Sequence, residues 1–189
     1  MPKNISTARE RILQVSHDLF YQEGIRATGI DRIIKEASVT KVTFYRHFPS
    51  KNDLIMAFLE YRHQRWINWF STTLTTEMSV SGTLIKALPA ALEKWFISPE
   101  FRGCAFINSA VEFSQALPAI SLAVQSHKQE MTEILAGYLP AASEKWDLAR
   151  QMTLLIDGAI VMAQYGEKSN QVVSLLEQWL SLHPGLLGK

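Results

Sequence analysis

Between the Ser38-Val39 pair and Pro49 the chain has room for one helix of about two turns, and this tight spacing constrains the fold more than any other feature. Thr40 offers a side-chain oxygen suited to an N-cap, so the helix runs from there to about His47. Pro49-Ser50-Lys51-Asn52-Asp53 then starts another helix, with Ser50 as its cap and Asp53 at the reciprocal position. Phe44 and Phe48, four residues apart, give the short helix an apolar side that anchors it to a core. Lys41, Arg46, His47 and Lys51 remain, set among Thr40, Thr43, Tyr45 and Ser50, and no acidic residue occurs from Ala37 to Asn52. Cations, hydroxyls and a phenol are what a surface needs to hold a phosphate backbone and touch base edges. The segment reads as a short helix presented to DNA.

The residues before it supply a brace. Thr7 and Glu10 have the spacing of a capping box, and Ile12, Leu13, Ser16, Leu19 and Phe20 follow at helical intervals. Gly24 ends that helix and Ile25 folds back on it. Thr28-Gly29 opens a second short helix carrying Ile30, Ile33, Ile34 and Ala37. Two short helices joined by a tight turn, the second basic and hydroxyl-rich, form a helix-turn-helix. Its second helix has the girth of a major groove about 12 Å wide.

A fourth helix carries Leu54, Ile55, Phe58, Leu59, Trp66, Trp69 and Phe70, after which residues 71–82, rich in Ser and Thr and ending on Gly82, read as a loop or frayed linker. Helical patterns follow at about 83–97, 103–115, 119–138, 143–165 and 170–182, punctuated by Pro99, Pro118, Pro140 and Gly166. No alternating strand pattern, hairpin dipeptide or internal repeat is present. The expectation is an all-α fold of about nine helices. A three-helix helix-turn-helix DNA-binding domain occupies 1–52, and a helical effector-binding and dimerisation domain occupies 53–189.

Charge is distributed accordingly. Residues 1–65 hold eleven Lys and Arg against seven Asp and Glu, a surplus of four, while residues 66–189 hold eight against eleven, a deficit of three. A basic front and an acidic rear predict that only the front meets a polyanion. Cys104 is the single cysteine, so no intramolecular disulfide forms, and no run approaches the roughly 18 apolar residues of a membrane span. With no apolar leader at the N-terminus, a cytoplasmic protein without membrane association is expected. There is no nucleophile elbow, glycine-rich phosphate loop or paired histidine spacing, so neither enzyme, metal nor cofactor is expected. Arg102 is the one cation near Cys104 in sequence, which favours a buried thiol over a redox sensor.

Residues 7–59 resemble the tetracycline-repressor (TetR/AcrR) family of transcriptional regulators. The match is carried by Arg-Ile-Leu at 11–13, Leu-Phe at 19–20, Gly24, Thr28, Ile30, Ile33, Ala37, Val39, Phe-Tyr-Arg-His-Phe at 44–48, Ser-Lys at 50–51 and Leu54. The resemblance implies phosphate contacts at Thr28, Tyr45, His47 and Lys51, and groove-facing positions at Thr40, Lys41, Val42 and Thr43, with Arg46 suited to either role. Lys41 is the candidate for a guanine edge. Tyr45→Phe and Lys51→Ala should then weaken binding to all sequences alike, and Lys41→Ala should alter preference. Three positions depart from the family pattern. Ile34 replaces a small Ala between the two helices, and Ser38 replaces a turn Gly at a cost of about 1 kcal/mol if that residue is left-handed. Val42 replaces a Gly, trading close backbone approach for apolar contact with a thymine methyl.

In the second half, residues 150–163 are apolar nearly all round, and Gly158, Ala159 and Ala163 leave room for another helix. Val172, Leu175, Leu176 and Trp179 follow at 3–4 spacing. One helix-turn-helix reads too few bases, so a two-fold homodimer through about 145–182 on double-stranded DNA is expected, as the resemblance also implies. Large apolar and aromatic residues surround isolated polar groups between these regions. Trp66, Phe70, Trp95, Phe106, Asn108, Glu112, His127 and Asp157 are the candidate lining of a pocket for a small apolar or amphipathic effector. Such an effector would release a palindromic operator from a repressor. A regulator of the same fold controlled by a protein partner, or by no ligand, is the alternative.

Overall fold

A computed structural model describes residues 7–113 and 117–183. The outer ends of the expected domains 1–52 and 53–189, and the last two residues of the helix expected at 103–115, lie outside the described residues. Among those described the chain is helical: α1 (Ala8–Glu23), α2 (Ile30–Glu36), α3 (Lys41–His47), α4 (Lys51–Ser81), α5 (Leu84–Phe96), α6 (Ala105–Phe113), α7 (Pro118–Gly137), α8 (Lys145–Gln164) and α9 (Ser169–Ser181). The chain divides into two compact units. One runs to Gln64 and takes in Ala105–Val124, and the other comprises Arg65–Cys104 and the chain from Gln125 onward. The division into units therefore falls inside α4 and α7.

The first unit is built on the expected caps. Thr7 Oγ1 accepts the Glu10 N–H at 3.2 Å, and the Glu10 carboxylate accepts the Thr7 N–H at 2.7 Å. Ile12 and Phe20 of α1, Ile33 of α2, Phe44 of α3 and Leu54 and Phe58 of α4 form its buried centre. Gly24, at φ 91°, closes α1 by donating its N–H to the Phe20 carbonyl. Ser38 sits at φ 52° in the turn between α2 and α3, the left-handed region that costs a residue with a Cβ about 1–2 kcal/mol. The turn holds because Ser38 and Val39 donate to the carbonyls of Lys35 and Ile34, both at 3.2 Å, and Arg11 Nε reaches the Ala37 carbonyl at 3.3 Å.

In the second unit α5 packs against α9, and α9 against α8. Leu84, Leu88 and Leu92 of α5, Met152, Ile156 and Ile160 of α8, and Val172, Leu176 and Leu180 of α9 are buried. The loop expected at 71–82 does not exist. The helix α4 continues unbroken to Ser81, where Gly82 at φ 71° ends it. The Ser and Thr hydroxyls that suggested a loop donate back along their own helix: Thr75 to Ser71, Thr76 to Thr72 and Ser81 to Glu77. Leu74 keeps the apolar stripe going and is fully buried.

Candidate nucleic-acid interface

Helix α3 shows two unlike sides. Phe44 is fully buried and Phe48 nearly so, with the Arg9 guanidinium 5.3 Å above the Phe48 ring. Opposite them Lys41, Val42, Tyr45 and Arg46 face outward, forming two pairs one helical turn apart. Val42 is 80% exposed and Tyr45 40%, its ring set edge-on to Phe44 at 5.2 Å. Thr43 and His47 are half-buried at the margins. The Thr40 hydroxyl accepts the Thr43 N–H at 3.1 Å and bonds the Thr43 hydroxyl at 2.9 Å, so both threonines serve the helix cap. Lys41 approaches Asp31 at 3.8 Å, but both side chains are well exposed, and such a pair holds little in water.

Two expected phosphate clamps turn inward. Thr28 is buried, and its hydroxyl donates to the Gly24 carbonyl at 2.8 Å. Lys51 Nζ donates to the carbonyls of Ile25 and Thr28, each at 2.7 Å. Burial lowers the Lys51 pKa from its ordinary value, opposed by the charge of Glu112. In this conformation both residues tie the 24–28 turn together: the Thr28 hydroxyl proton is taken, and Lys51 spends two of its three ammonium protons there.

The same turn is gripped from α6. The Arg26 N–H donates to the Glu112 carboxylate at 3.0 Å, its guanidinium donates to the Glu112 carbonyl at 3.1 and 2.5 Å, and it lies 5.0 Å over the Phe113 ring. Glu112, expected in an effector pocket, is spent on this latch. Nothing local signals the pairing, because the partners stand 86 residues apart. Phe106 and Asn108 also lie on α6 in the first unit, where Phe106 meets the His63 ring edge-on at 6.3 Å.

The remaining pocket candidates lie in the second unit. Trp66 stacks on Phe70 at 4.8 Å and meets Trp95 and His127 edge-on at 5.4 and 5.1 Å. Phe101 joins through Trp95. Among the described residues, the Trp66 indole N–H is buried without a hydrogen-bond partner, a cost of about 1–3 kcal/mol when nothing replaces water. Asp157 is apart from this cluster and pairs with Lys128; burial raises its pKa and the Lys128 charge opposes the rise. Lys128 Nζ also stands 3.7 Å from the buried Cys104 Sγ, a cation that proximity in sequence did not reveal.

A sequence profile of the "Bacterial regulatory proteins, tetR family" matches residues 12–58, the span from α1 into α4. A TetR-family transcriptional regulator from Streptomyces coelicolor is 32% identical, with 92% of each chain covered and a TM-score of 0.75. This chain belongs to the TetR family of transcriptional regulators. The reduced form of Escherichia coli NemR shares the fold, with a TM-score of 0.77 over 93% of this chain and 96% of that one at 19% identity. An HTH-type transcriptional regulator of Staphylococcus aureus is 39% identical over 72 residues, which span 38% of this chain and 37% of that regulator. The protein is a helix-turn-helix DNA-binding regulator of all-α architecture. No helix among the described residues is long and apolar enough to cross a membrane.

Proposed function

We propose that the protein is a repressor that binds a palindromic operator as a homodimer and releases it when a small apolar or amphipathic molecule binds the second unit. The observation that carries the dimer is a stripe of exposed apolar residues on α8 and α9. Leu154, Gly158 and Val161 on α8 and Tyr165 at its C-cap recur at spacings of four, three and four, with Leu154 73% and Tyr165 67% exposed. Leu175 on α9 and Leu182 at its C-cap are exposed as well. Leucines left in water at these intervals are what a second copy covers in a helical bundle. On DNA, Lys41, Val42, Tyr45 and Arg46 face the groove and its flanking phosphates, with Thr40, Thr43 and His47 at the edges. Thr28 and Lys51 act through the 24–28 turn.

Trp66, Phe70, Trp95 and His127 are the residues proposed to receive the effector, because large aromatic rings with few polar groups suit an apolar guest. Phe106, Asn108, Glu112 and Asp157 fall outside that set. Helix α4 carries Leu54 in the core of the DNA-binding unit and Trp66 in the aromatic cluster, so it is the element whose shift links the two. Linkage then requires that an effector weakening operator binding be weakened by operator in return. The test is a screen by tryptophan fluorescence for compounds that bind the chain, followed by operator titration with each hit. Hits that bind Trp66→Ala as well as wild type, or that leave operator affinity unchanged, overturn the effector reading and favour control by a protein partner.

A further inference from the structure

The four groove-facing positions at the start of α3 are chemically unequal. The Thr40 and Thr43 hydroxyls are bonded to each other at 2.9 Å, and Thr40 also accepts the Thr43 N–H at 3.1 Å. The cap fixes both side chains and takes one of their two hydroxyl protons. Lys41 and Val42 are left. Among the described residues Lys41 is held by an exposed contact to Asp31 at 3.8 Å, which is readily surrendered to another acceptor.

Val42 is the anomaly. It is 80% exposed, on a face otherwise made of Lys41, Tyr45 and Arg46. Folding gives no reason for it: an exposed valine buries little apolar area and is a poorer helix former than Ala, Lys or Gln. A purely electrostatic surface gains nothing from an isopropyl group either. In the major groove of unmodified DNA, thymine alone presents an apolar group, its 5-methyl.

We propose that Val42 reads a thymine by packing on its 5-methyl group, next to a guanine read by Lys41. Consecutive helical residues rise about 1.5 Å, and base pairs stack about 3.4 Å apart, so the two contacts fall on adjacent base pairs, since thymine and guanine never share a Watson–Crick pair. Each half-site therefore carries a thymine beside a guanine. Sequence discrimination at the thymine is carried by a methyl–methyl contact, without a hydrogen bond. Arg46, one turn beyond Val42, and Tyr45, one turn beyond Lys41, hold the flanking phosphates. The inference rests on α3 being the helix that enters the groove.

The test removes one methyl at a time from each side. The full chain selects duplexes from a random pool, and affinities are then measured on the recovered sequence with dT replaced by dU at each position in turn. One position per half-site should weaken wild type about fourfold on losing its methyl, the loss expected for one buried methyl group. Val42→Ala should show no difference between dT and dU there, while still preferring the neighbouring guanine. Replacing the selected thymine pair by a dC pair, with or without a 5-methyl on the cytosine, should give a preference for the methylated form in wild type that Val42→Ala lacks. Lys41→Ala should lose the guanine and keep the dT over dU preference. If no dT to dU change alters wild-type affinity, or if Val42→Ala keeps the same discrimination, the proposal is overturned while DNA binding stands. If no duplex is enriched at all, the groove reading of α3 fails with it.

Discussion

Ser38 occupies the left-handed region at φ 52° in a turn whose geometry α2 and α3 dictate from both sides. Glycine escapes the steric cost but brings a more flexible unfolded chain, so Ser38→Gly should raise stability by a net of about 0.5 kcal/mol. Ser38→Val, with a branched Cβ in that region, should lower it by about 1–2 kcal/mol. Urea midpoints at constant slope measure both. The strain was legible in the sequence because a serine stands where the family resemblance has glycine. Lys51 was not. Its position in a basic stretch suggested a clamp, and the destination of its ammonium depends on where the carbonyls of residues 25 and 28 fold. Lys51→Ala should therefore cost about 1–2 kcal/mol of stability, since two carbonyls lose a charged donor, and should leave the salt slope of DNA binding unaltered. Arg46→Ala should do the reverse, lowering the slope by about one with little effect on the urea midpoint.

At the scale of elements, periodicity located helices well wherever an apolar stripe met a cap or a breaker, as at Thr7, Thr40, Pro118 and Gly166. It failed at 71–82, because serine and threonine are read as loop formers when their hydroxyls have no visible destination, and here the destination is the helix itself. For α6 it located the helix but gave no sign that Glu112 reaches Arg26, 86 residues away in the chain. Glu112→Ala should loosen the latch, since the backbone carbonyl at 112 still holds the Arg26 guanidinium, and speed hydrogen exchange at the Arg26 amide, whose acceptor is the lost carboxylate. Slow exchange at Arg26 in that variant would show the latch to be dispensable. Helix α8 offers a sharper test. A Cβ added at Gly158 meets nothing within 4 Å in its own chain. Gly158→Leu should therefore keep the monomer folded, gaining up to about 1 kcal/mol from helix propensity. It should also abolish the dimer by blocking close approach of a second copy. Sedimentation that still shows a dimer for Gly158→Leu would remove α8 from the interface.

At the scale of the molecule, the basic surplus of residues 1–65 and the acidic surplus beyond them map onto a DNA-binding unit and a second helical unit. The match is imperfect, because residues 105–124 join the first unit from far along the chain. That rearrangement was invisible to a reading that follows the chain in order. It explains why Phe106, Asn108 and Glu112 lie in the first unit while Trp66, Phe70, Trp95 and His127 lie in the second. The central claim is that two copies of this chain present their α3 helices to one duplex. It is tested most directly by the mass and salt dependence of the complex formed with a duplex recovered by selection. Two chains per duplex are predicted, with log affinity falling linearly in log salt at a slope steeper than about −3, since each chain brings several phosphate contacts. One chain per duplex, or an affinity indifferent to salt, would contradict it.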